Sequence, residues 1–191
     1  YTSSMIGTQR GSYIDGIQLD NYFIGNEALI QRARNKCAKI AIDKGFDKLF
    51  FIDSDIGWEY SDFKAIVNSS LRLIGGTYPM KCRPIVLNYN LLPDDSSKVN
   101  SFVKNVHTPE HLQKTKELLA NDTGELKVRH IPTGFMCIDV SILRELQDKV
   151  SIYKQYNPHL DTIMTYYDFF PVGVQDEYFM SEDWAFCEIC R

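Results

Sequence analysis

Lys48-Leu49-Phe50-Phe51-Ile52-Asp53-Ser54-Asp55-Ile56-Gly57-Trp58 carries the strongest structural signal in the chain. An apolar, strand-forming run stops at two carboxylates one residue apart, and a glycine follows. In α/β proteins ligands gather at the carboxyl ends of buried strands. Paired carboxylates in such a place are costly unless something positive shares them, and a hard divalent cation is the natural partner. Mg²⁺ or Mn²⁺ held by one or two carboxylates keeps positions open for water and for a substrate's phosphates. The stretch therefore predicts a metal–diphosphate site. The plainer alternative is that Asp53 and Asp55 are turn residues or helix caps, the common use of Asp-x-Asp.

Working outward, the 191 residues have ordinary apolar and charged fractions, which predicts one soluble domain over 1–191 with a sizeable core. A formal net charge of −4 with no basic stripe argues against nucleic acid as a partner. No apolar run is long enough for a membrane span, and no signal peptide is visible. Cys37, Cys82, Cys137, Cys187 and Cys190 form an odd, scattered set, which points to reduced thiols in a cytoplasmic setting. Cys187 and Cys190 lack a second pair to complete a zinc site and read as packing residues on one helix face. The chain opens at Tyr1 and closes at Arg191 inside a helical pattern, so the expectation is a domain excised from a longer chain.

Strand-like and helix-like segments alternate, which predicts an α/β fold. Ile17 to Ile24 alternates apolar and polar residues as a strand does. Asn26 is placed to cap a helix whose apolar residues run from Ala28 to Ala41, and Gly45 ends it. A helix from Ser61 to about Ser70 follows the acidic pair. A strand over Leu71–Thr77 then ends in Gly75-Gly76. Residues 88–107 read as an excursion with little core, and Thr108 to Ala120 as a short polar helix. Strands are expected over Leu126–Ile131 and Gly134–Ile138, meeting at Pro132-Thr133, with a helix from Val140 to Gln147. Residues 151–180, rich in Tyr and Phe, fit strand or loop equally. Ser181-Glu182-Asp183 then opens the last helix.

The blocks Ala33-Arg34-Asn35, Phe51-Ile52-Asp53-Ser54-Asp55, Gly76-Thr77-Tyr78-Pro79-Met80-Lys81, Pro132-Thr133-Gly134-Phe135-Met136 and Ser181-Glu182-Asp183-Trp184 stand in this order. So arranged, the chain resembles the GT-A-fold nucleotide-sugar glycosyltransferases, in the branch of phages and large DNA viruses that includes the chlorella viruses. The likeness runs from about Ile17 to Arg191. It implies a GT-A-type, Rossmann-like mixed sheet, mostly parallel, flanked by helices. It also implies a hexosyl- or deoxyhexosyltransferase that moves a sugar from a nucleoside diphosphate donor, with UDP the expected nucleotide, to a hydroxyl of a glycan or glycoprotein. The setting implied is the cytoplasm, with a viral origin and further domains of the same chain among the expectations.

By that resemblance Asp55 is the direct ligand of Mn²⁺ or Mg²⁺, and Asp53 serves the ribose or reaches the metal through water. Arg34, Asn35 and Ser54 lie on the donor side. Thr133-Gly134 resembles the loop lining the sugar, where glycine admits backbone close to a ligand. Asp183, beside Glu182, is the general base in inverting members, and a sugar-binding group in retaining ones. Its plainer role is to sit at a helix N-terminus, where the dipole favours acids. Arg32 and Arg34 are two apart and point in different directions, so at most one faces a site; a solvated helix face is the alternative for both. Lys81 and Arg83 are weaker candidates for phosphate contact. Two departures stand out. Only Ser4-Met5-Ile6-Gly7-Thr8 is available as the family's first strand, and it reads equally as a helix stub. The family's third metal ligand, often His after the Glu-Asp helix, has only His130 and His159 as substitutes.

Two other classes fit parts of the pattern. A haloacid-dehalogenase-like phosphatase also ends a strand in Asp-x-Asp, but Gly57 stands where that motif wants Thr or Val. A non-catalytic domain binding a sugar nucleotide or a partner would use the aromatics from Tyr153 to Phe179, which otherwise fill core.

Overall fold

The computed structural model describes residues 1–25, 27–78, 90–91, 101–104, 125–157, 160–175 and 177–191. Lys81, Arg83, His159, the capping role of Asn26 and the helix expected over Thr108–Ala120 lie outside the described residues. The chain divides into two compact units: Tyr1–Asn21, Phe50–Ile138 and Arg191 form the first, and Tyr22–Leu49 with Asp139–Cys190 the second.

The first unit is built on a six-stranded sheet in the order β1-β6-β2-β4-β5-β3. Its strands are β1 (Lys48–Ile52), β2 (Leu73–Gly76), β3 (Asn90–Leu91), β4 (Ser101–Lys104), β5 (Glu125–His130) and β6 (Phe135–Asp139). The sheet is mixed. β2 runs parallel to β4 and antiparallel to β6, while β5 is antiparallel to both β3 and β4. The protein is thus of mixed α and β class. β5 and β6 follow each other in sequence but are not neighbours, because β2 and β4 lie between them. The 88–107 stretch is not a mere excursion, since β3 and β4 within it join the sheet.

Helix α1 (Thr2–Ile14) occupies the place where the sequence offered a first strand or a helix stub. It packs on α3 (Tyr60–Val67) through Gly11, where an added Cβ would lie 2.4 Å from the Tyr60 ring. Hydrogen bonds from Lys64 and then Tyr60 hold the Asp15 carboxyl, just past α1, below the usual carboxylate range. α3 starts with a capping box, in which Glu59 and Asp62 each accept from the other's backbone N–H. Trp58, Phe63, Ile66, Ile74, Phe135 and Cys137 form a buried cluster under the sheet. Burying one such large apolar side chain stabilises by about 1.5–3 kcal/mol. Residues 17–24 form no strand. Ile17 and Leu19 are half-buried and Gln18 and Asp20 exposed, but Tyr22, Phe23 and Ile24 are all exposed, so the alternation in burial does not reach the end of the segment.

The second unit holds α2 (Ile30–Lys44), α4 (Val140–Leu146), α5 (Glu182–Ile189) and two antiparallel ribbons. Gly45 ends α2 in the left-handed conformation, φ 72°, returning its N–H to Ala41 and Ile42 carbonyls. The Asp139 carboxylate caps α4 by accepting from Ser141 N–H at 2.8 Å. The Tyr- and Phe-rich stretch resolves into β7 (Ile152–Asn157) paired with β8 (Thr162–Tyr167), and β9 (Gly173–Gln175) paired with β10 (Tyr178–Met180). Phe169, Phe170 and Phe186 are buried, with Phe170 and Phe186 stacked at 4.5 Å. Among the described residues no helix is long and apolar enough to cross a membrane.

Candidate functional site

β1 delivers the acidic pair because Phe51 is buried and Phe50 and Ile52 pack on the core cluster, which pins the strand to its end. Beyond Ile52 the backbone turns. Asp53 N–H donates to Gly134 O at 2.9 Å, and Asp53 O accepts from Ile56 N–H at 3.1 Å. Asp53 is half-buried, while Ser54 and Asp55 at the crest of the turn are exposed. Thr133 and Gly134 are buried against it. The acidic turn and the Thr133-Gly134 loop, far apart in sequence, are therefore one piece of structure.

Gly134 has no room for a side chain. A Cβ there would sit 2.3 Å from Tyr78 Oη and 2.8 Å from both Tyr78 Cζ and Ile56 Cδ1. Gly76 is in the same situation, with Phe135 Cδ1 at 2.5 Å from its added Cβ. Gly75-Gly76 close β2, as the sequence indicates; both are buried, and the bare Cα of Gly76 receives the Phe135 ring.

Among the described residues no group of three or more His, Cys, Asp or Glu side chains is gathered to hold a metal ion. Asp53 and Asp55 are the two carboxylates of the turn; Mg²⁺ and Mn²⁺ are commonly held by one or two carboxylates, with water and phosphate oxygens completing the shell. His130 is buried in β5 opposite Asn90.

The remaining candidates belong to the second unit. On α2 the two arginines diverge as their spacing requires. Arg34 is buried, whereas the more exposed Arg32 donates from Nε to Glu27 Oε1 at 2.9 Å. Lys36 Nζ meets the other Glu27 oxygen at 2.5 Å. Burial pushes the Glu27 carboxyl up, but the hydrogen bonds from Lys36, Arg32 and the Leu29 N–H outweigh it and hold the pKa down at about 2. Burial likewise pushes the Cys37 thiol up, against the nearby charge of Arg34. Asn35 is buried and committed at both ends of its carboxamide: Nδ2 donates to Asp168 Oδ1 at 2.9 Å, and Oδ1 accepts from Phe170 N–H at 3.2 Å.

Glu182 and Asp183 occupy the first turn of α5, as expected. Asp183 Oδ1 accepts from Trp184 N–H at 2.8 Å and from the Ser181 hydroxyl. That is the bonding of a helix-start acid. Cys187 is fully buried in the same helix, consistent with packing.

No family model, curated protein or solved structure matches this chain.

What brings two sequence-derived candidates together is the Asp53–Gly134 hydrogen bond. The residues missed beforehand are Tyr78 and Ile56. In the sequence Tyr78 has no role assigned to it, and its signal is being the aromatic nearest the Gly75-Gly76 pair.

Proposed function

We propose that this chain is a metal-dependent glycosyltransferase of the GT-A type, using a UDP-linked sugar donor and a hydroxyl acceptor on a glycan or glycoprotein. One observation carries the reading: two carboxylates end a strand in a turn that is hydrogen-bonded, through Asp53 N–H and Gly134 O, to a buried Thr-Gly loop. The Asp53 and Asp55 carboxylates of such a turn are hard oxygen ligands. Asp55, exposed at the crest, takes the direct metal position, and Asp53 the ribose or a metal-bound water. A bound Mn²⁺ or Mg²⁺ supplies charge neutralisation for the departing nucleoside diphosphate. Ser54, Thr133 and Gly134 line the donor, with Arg34, Asn35 and Lys81 as the further donor-side residues the resemblance implies. The resemblance assigns to Asp183, with Glu182 beside it, the proton of the acceptor hydroxyl. The GT-A arrangement of the sheet belongs to the same proposal.

Titration with UDP-sugars, with and without Mn²⁺, tests it. Binding that requires the metal and disappears in Asp55→Ala is expected; binding indifferent to Mn²⁺, or none, overturns it.

A second reading is favoured by Asp183, whose Oδ1 already accepts two hydrogen bonds at the start of α5. On that reading the domain binds a sugar nucleotide without transferring the sugar. Metal-dependent donor binding with no transfer or hydrolysis across a broad acceptor panel would establish it.

A further inference from the structure

We propose that Tyr78 is a positioning residue for the Asp53–Asp55 turn, acting through Gly134; the inference rests on the metal–diphosphate reading of that turn. Two glycines of the first unit each receive an aromatic ring from the other's segment. Phe135, directly after Gly134, fills the space over Gly76, and Tyr78, just past Gly76, fills the space over Gly134. β2 and β6 run antiparallel with Gly75 opposite Met136, which brings the two glycine–aromatic pairs side by side. The Tyr78 pair governs the acidic turn. Tyr78 Oη and Ile56 Cδ1 close on the bare Cα of Gly134, Gly134 O holds Asp53 N–H, and Asp53 O holds Ile56 N–H. These contacts form a closed circuit, since Ile56 both takes the last hydrogen bond and packs against the glycine that starts it.

Tyr78 and Ile56 are also packed on the Trp58–Phe63–Ile74–Phe135 cluster, so the circuit is anchored in core. A metal site needs its ligands held to within about 0.5 Å by a packed supporting shell. Tyr78 supplies that support through its phenol end, Oη and Cζ together, rather than through any bond to the ion.

The test uses the full chain, with Mn²⁺ and UDP as probes. Tyr78→Phe removes the Oη nearest Gly134 and keeps Cζ beside it, so its effect on Mn²⁺–UDP affinity and on exchange of the Asp53 and Ile56 amides should be smaller than that of the leucine variant. Tyr78→Leu should weaken Mn²⁺–UDP binding at least 10-fold and speed exchange at those two amides, with exchange in β6 unchanged. Gly134→Ala, which displaces the phenol from the other side, should do the same and stands in if the leucine variant folds poorly. Unchanged exchange at Asp53 in both variants overturns the inference. So does faster exchange with undiminished Mn²⁺–UDP affinity, which would make Tyr78 a packing residue only. If the parent chain binds no Mn²⁺–UDP, the metal reading fails by itself, and the exchange rates still decide whether Tyr78 holds the turn.

Discussion

The indole N–H of Trp58 donates to the Thr8 hydroxyl at 2.8 Å, a buried hydrogen bond between residues 50 positions apart. It is one of a row. Ser4 Oγ accepts from Trp58 N–H at 3.2 Å, Gly11 admits the Tyr60 ring, and Lys64 Nζ meets Asp15 at 2.8 Å. Residues 4, 8, 11 and 15 follow helical spacing, so one face of α1 and the residue just past its end are fastened to the segment that follows the acidic turn.

Thr8→Val keeps the shape of the side chain but strands the indole N–H in the core. A buried donor without its acceptor costs about 1–3 kcal/mol. Urea midpoints of Thr8→Val and Thr8→Ser should differ accordingly, the serine variant staying close to the parent.

Gly76→Ala places a methyl 2.5 Å from the Phe135 ring. Overpacking of this kind costs about 1–3 kcal/mol. Pairing it with Phe135→Leu should recover part of the loss, and a double-mutant cycle on unfolding free energies reads the coupling directly.

Glu27 gives the fold an acid dependence. Its folded pKa of about 2 lies below the ordinary 4.5, so its stabilising contribution is complete above about 4.5 and fades as pH falls toward about 2. In Glu27→Gln that part of the acid destabilisation should be missing, leaving a flatter stability profile between pH 4.5 and 2. A variant with the parent's slope would show that Arg32 and Lys36 do not hold the carboxylate in solution.

Asn35→Ala removes the acceptor of the Phe170 N–H and the donor to Asp168 together. The stranded backbone group alone costs about 1–3 kcal/mol. Thermal unfolding should show the loss, and amide exchange at Phe170 should rise with it.

Asp183→Asn separates base from cap. The amide keeps an oxygen for Trp184 N–H, so donor binding and melting temperature should stay near the parent. Turnover should drop by about 10²–10⁴-fold if the carboxylate takes the acceptor's proton. A change of less than a few-fold assigns Asp183 to the helix start alone.

Features that declare themselves within a few residues were legible in the sequence. The apolar run halted by Asp53, the Gly45 stop of α2, the strand before Gly75-Gly76 and the acidic opening of α5 all carry local signals. Features set by distant partners were not. Gly76 reads as punctuation until the Phe135 ring is seen over it. The alternation of 17–24 reads as a strand, yet a strand also needs a ladder partner that local sequence does not reveal, and these residues form none. α1, with Gly7, Gly11 and several serines, is a weak helix by propensity and owes its place to Trp58, Tyr60 and Lys64. At the candidate site the two acids and the Thr133-Gly134 loop were legible as separate candidates, but the hydrogen bond joining them and the side chain that braces the loop were not, because these depend on other strands.

The fastening of α1 also orders events in time. A ribosome releases residues 4 to 15 well before Trp58, Tyr60 and Lys64 exist, and a thirteen-residue helix is marginal in water by itself. The earlier-made segment is therefore seated late, after the chain loops back across some fifty residues. Until then the Trp58 indole waits for its acceptor, and the seating of α1 belongs among the slower steps of maturation.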